Sequence, residues 1–131
     1  MFVTDTHPLI WSSNRNFSLL SKKVLKAYER ANGGEIIIYI PTVVLWEAAI
    51  LEKNGKIKLE GGFENWAENL LSKSGFLPFE LEPAIISRSV GFSFNDDLFD
   101  KAIVATAIEL DFPLITKDFA ITESKLVEVY W

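Results

Sequence analysis

The sequence predicts an α/β fold in which a mainly parallel central sheet lies between two layers of helices. Short apolar segments alternate with amphipathic ones along the 131 residues, and the connections between them are short, which is typical of a parallel sheet covered on both faces. The isoleucine-rich segment Glu35–Ile40 suits a central strand of such a sheet. Because the length is that of one ordinary domain, we expect residues 1–131 to form a single domain.

Five segments have the apolar, β-branched character of strands. The first, Phe2–Thr4, runs directly into Asp5, which predicts a buried strand that ends on an acidic residue. The other four predicted strands are Glu35–Ile40, Phe76–Leu81, Leu114–Thr116 and Val127–Tyr130. We expect Pro41 to end the second strand, because proline has no backbone N–H to give to a sheet.

Five further segments have apolar residues at helical spacing. Gly33 and Gly34 stop the first helix, Thr42 is suited to cap the second, and Asn95 with Asp96 is suited to start the last. The predicted helices are Ser21–Asn32, Val43–Lys53, Phe63–Ser72, Pro83–Val90 and Asn95–Asp111.

The composition excludes several classes of function. The absence of cysteine excludes a disulfide framework, a thiolate zinc site and a cysteine nucleophile. Because no apolar stretch approaches the roughly 20 residues of a membrane span and residues 1–20 do not resemble a signal peptide, we expect a cytoplasmic protein. The formal net charge of −5 argues against a wholly basic surface for nucleic acid. Any basic site for phosphate must therefore be local.

Acidic residues from four segments are expected to meet at one edge of the sheet. Asp5 and Asp118 follow short apolar strands, and Glu47 lies one turn into the helix after the second strand. Asp97 and Asp100, three residues apart, share one face at the start of the last predicted helix. Ligands of open α/β sheets bind at the carboxyl ends of the strands, and clustered carboxylates suit Mg²⁺ or Mn²⁺. The pattern predicts metal-assisted phosphodiester hydrolysis.

Each acid also has a structural interpretation when taken alone. Asp97 and Asp100 are favoured at a helix start by the helix dipole, by roughly 0.3–1 kcal/mol each. Asp118 can be ordinary loop polarity, Glu47 can lie at the edge of a buried helix face, and Asp5 can accept hydrogen bonds from the turn that follows it. The hypothesis of a site therefore depends on the convergence of the five acids.

Other residue types supply candidates for supporting roles. Lys101 and Lys117 each adjoin a proposed ligand and are placed to touch a substrate phosphate, whereas Thr116 can hydrogen-bond to a carboxylate or a bound water. His7 is expected in a turn closed by Pro8. We expect it to have a structural role or to lie next to the metal ligands without binding the metal itself. A basic helical flank is either a solvated face or a phosphate contact: Lys22, Lys23, Lys26 and Arg30. The tryptophans Trp11, Trp46, Trp66 and Trp131 suit packing.

Four motifs in order resemble those of PIN-domain proteins, especially the VapC toxins of type II toxin–antitoxin systems. They are Phe2–Trp11, Val44–Ile50, Asp97–Ala107 and Leu114–Asp118. The resemblance implies a PIN-like fold and a ribonuclease that uses Mg²⁺ or Mn²⁺, held by the quartet Asp5, Glu47, Asp100 and Asp118 with Asp97 as an auxiliary acid. It also implies a substrate such as tRNA or rRNA, a homodimer and a cognate antitoxin that silences the toxin.

The chain departs from the family pattern in one segment. Where the family usually has His-x-Asp-Pro-Phe-Asp-Arg, this sequence has Asn95, Leu98 and Lys101 in place of the histidine, proline and arginine. All carboxylates are retained, but lysine lacks the two-pronged contact that arginine makes with phosphate. Two alternatives stay open, a non-catalytic PIN-like module that binds RNA or protein, and a phosphate-receiver domain. The receiver is disfavoured because the isoleucine-rich strand ends on Pro41 and not on an acid.

Overall fold

A sheet of five strands, all parallel, forms the centre of the computed structural model, which describes residues 1–131. The spatial order of the strands is β3-β2-β1-β4-β5. Their bounds are Phe2–Thr4 for β1, Ile38–Pro41 for β2, Phe76–Phe79 for β3, Leu114–Ile115 for β4 and Val129–Tyr130 for β5. The prediction of a central parallel sheet is confirmed, and each of the five predicted strands is present.

Seven helices cover the two faces of the sheet. They are α1 Thr6–Ser13, α2 Lys22–Asn32, α3 Thr42–Lys53, α4 Gly62–Leu71, α5 Pro83–Ser89, α6 Leu98–Leu110 and α7 Phe119–Ser124, with a short 3₁₀ turn at Phe17–Leu19. The chain moves from β1 to β2 and β3 through α1–α4, and then crosses to β4 and β5 through α5–α7. Because crossovers between parallel strands are right-handed, the two opposite directions of travel leave helices on both faces of the sheet. The three-layer α/β/α fold follows.

The core lies on both faces of the central strands. Val3, Ile38, Ile40, Leu114 and Ile115 are fully buried. The most enclosed helix is α6, in which every residue from Ala102 to Ala107 is buried, because it packs against β1, β2, α3 and α5. None of the helices combines the length and the apolar character needed to cross a membrane.

Strand β2 and helix α3 do not begin as the sequence predicted. Strand β2 begins at Ile38 and not at Glu35, because the Glu35 backbone N–H still donates to the Arg30 carbonyl (2.9 Å) in the turn that closes α2. Helix α3 is not capped by Thr42, which is its first helical residue; Pro41 precedes it without a side-chain cap. The other predicted strands match the observed bounds within two residues.

Helix α6 begins later than the sequence indicated. It starts at Leu98, and Asp97 caps it by accepting a hydrogen bond from the Asp100 backbone N–H (3.1 Å). Asn95 instead accepts from the Asp97 backbone N–H (3.0 Å), which holds the preceding loop. The expected start at Asn95 and Asp96 is therefore wrong, because Asp97, the next residue in the sequence, is the one that caps the helix.

Two short helices, α1 and α7, were not expected from the sequence. The segment with His7 and Pro8 was expected to be a turn, but it forms the first turn of α1. Pro8 is accommodated there because the first backbone N–H groups of a helix have no partner within it. Asp5 and Asp118 cap the two helices, accepting from Thr6 and Ile121 respectively. Both acids therefore lie between the end of a strand and the start of a helix.

Candidate active site

An acidic pocket of about 370 Å³ opens beside the carboxyl ends of β1 and β4. Nine residues line it: Asp5, His7, Pro8, Trp11, Glu47, Asp97, Asp100, Lys117 and Asp118. All five predicted acids are in this set. Thr116 lies fully buried behind the pocket wall, whereas Lys101, the other predicted phosphate contact, is not among the lining residues. The expected convergence of acids from four segments is therefore observed.

Asp5 is the most enclosed of the acids, with 7% of its surface exposed. Its Oδ1 accepts from the Thr6 backbone N–H (2.7 Å), and its Oδ2 accepts from the Thr116 hydroxyl (2.7 Å). Burial raises the pKa of Asp5, and the two hydrogen bonds counter part of that rise by stabilising the charged form. The carboxyl is thus fixed in orientation at the floor of the pocket.

Glu47 reaches the same pocket from α3. Its Oε1 accepts a hydrogen bond from the Thr6 hydroxyl, so that Thr6 contacts Asp5 through its backbone and Glu47 through its side chain. Burial raises the pKa of Glu47, and the negative charges of Asp5 and Asp97 raise it further. Thr6 is a supporting residue that the sequence did not indicate, because its position at the start of α1 was not predicted.

Asp100 and Asp97 enter the pocket from the start of α6. Asn95 donates to Asp100 Oδ2 through its side-chain amide (2.9 Å). The pKa of Asp100 is raised to about 7, first by burial and then by the negative charges of Asp5 and Asp97. Asn95, at the position where the family pattern has histidine, therefore orients one of the proposed ligands. Asp97 is at once a helix cap and a wall of the pocket.

Asp118 completes the acidic set from the end of β4. Its Oδ1 accepts from the Ile121 backbone N–H (2.8 Å) at the start of α7. The Thr116 hydroxyl accepts from the Asp118 backbone N–H (3.0 Å) while it donates to Asp5. Thr116 thus joins two acids from strands that are adjacent in the sheet, which agrees with its predicted contact with a carboxylate.

The donor set suits a divalent cation in its chemistry. Carboxylate oxygens are the ligands that Mg²⁺ and Mn²⁺ prefer, and the raised pKa values of Asp5, Glu47 and Asp100 reflect desolvation and repulsion that a bound cation relieves. No group of three or more acidic or histidine side chains is arranged so that it could hold a metal ion. The acids instead accept hydrogen bonds from neighbouring donors. The chemistry of the donors therefore fits a divalent cation, although the side chains do not form a complete ligand geometry.

Comparison with known proteins identifies a family and three similar solved structures. The family model for the PIN domain matches residues 2–124. A toxin–antitoxin complex from Klebsiella pneumoniae is 21% identical (90% of this chain, 87% of that chain, TM-score 0.58). VapBC2 from Rickettsia felis bound to a DNA fragment from their promoter is 14% identical (98% and 96%, TM-score 0.67). FitAcB from Neisseria gonorrhoeae is 20% identical (100% and 97%, TM-score 0.60). These likenesses show a shared fold. A search of curated proteins gives no significant match.

Proposed function

Because the chain belongs to the PIN-domain family, we propose that it is a metal-dependent ribonuclease of the VapC-like toxin class. The proposal takes residues 1–131 as one PIN-like domain and names Mg²⁺ or Mn²⁺ as the cofactor. Its substrate is structured RNA such as tRNA or rRNA, which it cuts by hydrolysis of a phosphodiester bond. The cytoplasm, where such RNA is found, is the proposed location.

The observation that carries the proposal is the meeting of five acids in one pocket. Asp5, Glu47, Asp97, Asp100 and Asp118 come from four segments and share one cavity. Burial and mutual repulsion disfavour the charged forms of Glu47 and Asp100, which is a cost that a fold without a task for them would avoid. Structural support alone explains single helix caps but not the convergence.

Each acid has a proposed role that follows from its surroundings. Asp5 and Asp118 are the proposed direct metal ligands, because both lie at strand ends with a fixed orientation. Glu47 and Asp100 complete the set or orient the attacking water. When bound, a divalent cation lowers the pKa of a water and stabilises the leaving oxygen. Thr6 and Thr116 position the carboxylates, and Lys117 is the proposed contact for a substrate phosphate.

The proposed partners follow from the same class. One structural neighbour is a toxin–antitoxin complex and another is a VapBC2 assembly, which supports a cognate antitoxin as the partner that silences this chain. Trp46, Leu98 and Phe119 are 61%, 76% and 77% exposed. Large apolar side chains at such exposure favour a protein contact, and we propose a homodimer.

The experiment that tests this function measures cleavage of total RNA by the purified protein with Mg²⁺, with Mn²⁺ and with a chelator. We expect cleavage that requires metal and is lost in Asp5→Asn. Asp111→Asn is the matched control, because Asp111 is exposed outside the pocket and its left-handed backbone (φ 56°) tolerates asparagine. RNA that stays intact under every condition would contradict catalysis. The non-catalytic PIN-like binding module would then be the remaining interpretation.

Two further measurements separate metal binding and toxicity from cleavage. Calorimetric titration with Mn²⁺ is expected to show saturable binding to the wild type and to Asp111→Asn, with weaker binding to Asp5→Asn. Expression in cells is expected to arrest growth, and co-expression of the neighbouring open reading frame to relieve the arrest. Growth that is unaffected by the wild-type chain would contradict the toxin assignment.

A further inference from the structure

One part of the wall of the acidic pocket is aromatic. Trp11, on α1, lines the pocket together with His7, and their ring centroids are 5.9 Å apart. Trp131 meets Trp11 edge to face at 6.3 Å. Trp11 is therefore held between two aromatic side chains at the rim of the site that contains Asp5 and Asp118.

Trp11 is placed differently from a tryptophan that serves packing alone. Trp66 is 6% exposed, and its indole N–H donates to the Ser13 hydroxyl (3.0 Å). Trp11 is only half-buried, and its indole N–H has no hydrogen-bond partner within the protein. Packing thus fixes part of the Trp11 ring, while another part borders the cavity.

A lysine side chain that forms no salt bridge lies beside these aromatic residues. Lys117 is the only lysine or arginine that lines the pocket, and its ammonium lies 5.8 Å from the centre of the Trp131 ring. The protein's two salt bridges, Arg30–Glu35 and Arg88–Glu109, lie elsewhere. Although Lys117 precedes Asp118 in a pocket with five acids, its charge is therefore available to an anion that enters from outside.

We propose that Trp11 is a base-stacking residue of the substrate site. An unpaired base next to the scissile phosphate stacks on the Trp11 ring, and Lys117 contacts a phosphate of the same strand. Aromatic side chains and lysines placed together are the usual means of binding single-stranded nucleic acid. A base within a duplex has both faces covered by its neighbours, so the site selects unpaired RNA such as a loop. This inference rests on the proposed ribonuclease function.

The first test compares binding of a short fluorescein-labelled single-stranded oligoribonucleotide to variants made in the Asp5→Asn background, which leaves the RNA uncut. Stacking predicts that Trp11→Leu weakens binding by roughly 5- to 150-fold, and that Trp11→Phe, which keeps an aromatic ring, loses less. Phe17→Leu is the matched control, because Phe17 is an exposed aromatic residue that does not line the acidic pocket. Equal losses in the two leucine variants would overturn the proposal.

The second test removes the base and keeps the backbone of the RNA. Abasic residues are placed on either side of the mapped cleavage position, and anisotropy gives the affinity of each oligonucleotide for the Asp5→Asn protein with and without Trp11→Leu. Stacking predicts that one abasic position weakens binding to the protein that retains Trp11 and adds no further loss in Trp11→Leu. Additive losses at every position would mean that Trp11 acts only through the fold, and would overturn the proposal.

Failure of this inference can be told apart from failure of the proposed function. If the wild type cuts RNA with metal while Trp11→Leu cuts the same RNA with unchanged KM and kcat, the stacking role is wrong and the ribonuclease stands. If the wild type cuts no RNA, the ribonuclease proposal fails, and the stacking inference that rests on it fails with it. Stacking itself predicts a raised KM in Trp11→Leu, with Mn²⁺ binding unchanged.

Discussion

Single residues in this protein belong to the architecture and to the candidate site at once. Asp5 ends β1, caps α1 and forms the floor of the acidic pocket. Thr116 has no exposed surface and serves two acids, as donor to Asp5 and as acceptor for the Asp118 backbone. A change at either residue therefore affects both stability and the charge state of the site.

Replacement of Thr116 by valine keeps the side-chain shape and removes both hydrogen bonds. We expect the free energy of unfolding to fall by about 1–3 kcal/mol, because the Asp118 backbone N–H and the buried Asp5 carboxyl each lose a partner. The pKa of Asp5 rises further, since the lost hydrogen bond stabilised its charged form. Urea unfolding at neutral pH without metal measures the change in stability.

Thr106→Val is the control for that substitution. Thr106 is also buried, but its hydroxyl donates to the Ala102 carbonyl, which is already in the hydrogen-bond ladder of α6. Its loss leaves no group unpaired, and we expect a change of less than about 1 kcal/mol. A loss in Thr106→Val that equals the loss in Thr116→Val would contradict the role given to Thr116.

The raised pKa of Asp100 predicts how stability depends on pH in the metal-free protein. Its value rises from 3.8 to about 7 on folding, so the folded state binds the proton more tightly. The resulting stability is complete below pH 3.8 and is lost as the pH rises through about 7. Because the carboxyl is partly exposed, we expect an effect on the order of 1 kcal/mol after solvent screening.

Urea unfolding across this pH range, for the wild type and Asp100→Asn, measures the effect. We expect the wild type to lose stability relative to the variant as the pH rises, because asparagine does not ionise. Saturating Mg²⁺ should stabilise the wild type most above pH 7, where Asp100 is charged. A stability difference between the two proteins that does not change with pH would contradict the shifted pKa.

At the level of elements, the sequence predicted the strands better than the helix starts. A short apolar run such as Phe2–Thr4 has few alternatives inside an α/β pattern. Helix α1 was not predicted because its residues Leu9, Ile10 and Trp11 give no polar face, and Pro8 suggested a turn. The start of α6 was misplaced because Asn95, Asp96 and Asp97 are all good caps, and only the fold determines which one is used.

The close contact between α2 and the residue before β3 predicts a loss of stability when a side chain is added there. A Cβ at Gly75, just before β3, would lie 1.9 Å from the backbone carbonyl oxygen of Ala31 in α2. Gly75→Ala therefore requires movement of the backbone, and we expect a loss of about 1–3 kcal/mol in the free energy of unfolding. Thermal or urea unfolding measures it.

Gly33→Ala is the control for this junction, because it makes the same change nearby. A Cβ at Gly33 would meet backbone oxygens at 3.6 and 3.7 Å, an ordinary contact distance, and its φ of −84° suits alanine. We expect a change within about 0.5 kcal/mol. Equal effects at Gly33 and Gly75 would mean that the contact between α2 and β3 is not the cause.

For the whole molecule, the position of the acids was predictable and that of the aromatic wall was not. Parallel topology brings strand ends to one edge, so Asp5 and Asp118 were expected at the same edge, and the pairing of β1 with β4 makes them neighbours. Trp11 reaches the pocket only because the segment after Asp5 is a helix, and Trp131 meets Trp11 only through the pairing of β5 with β4. These placements depend on contacts across the chain that spacing does not encode.

The charge of the whole molecule predicts a weak dependence of RNA binding on salt. With a net charge of −5 and Lys117 as the only lysine or arginine in the pocket, few phosphates are neutralised. One or two contacts with a single strand give a slope of roughly −0.7 to −1.4 in log K against log salt. Anisotropy at several salt concentrations, with the Asp5→Asn protein, measures it.

The control for the salt dependence is a variant of the basic flank on α2. Lys117→Ala should reduce the slope by roughly 0.7, whereas Lys26→Ala should leave it unchanged. A steep slope that falls in Lys26→Ala would instead show that the flank of α2 binds the RNA backbone.

The hydrogen bond from Thr116 to Asp5 joins residues 111 positions apart in the chain. During translation, Asp5 leaves the ribosome long before the segment that orients it, and β1 must wait for β4 to pair on that side. Until that segment has been made, a nascent chain therefore carries only part of its acidic set. The acidic pocket is therefore assembled only after the segment with Thr116 and Asp118 has left the ribosome.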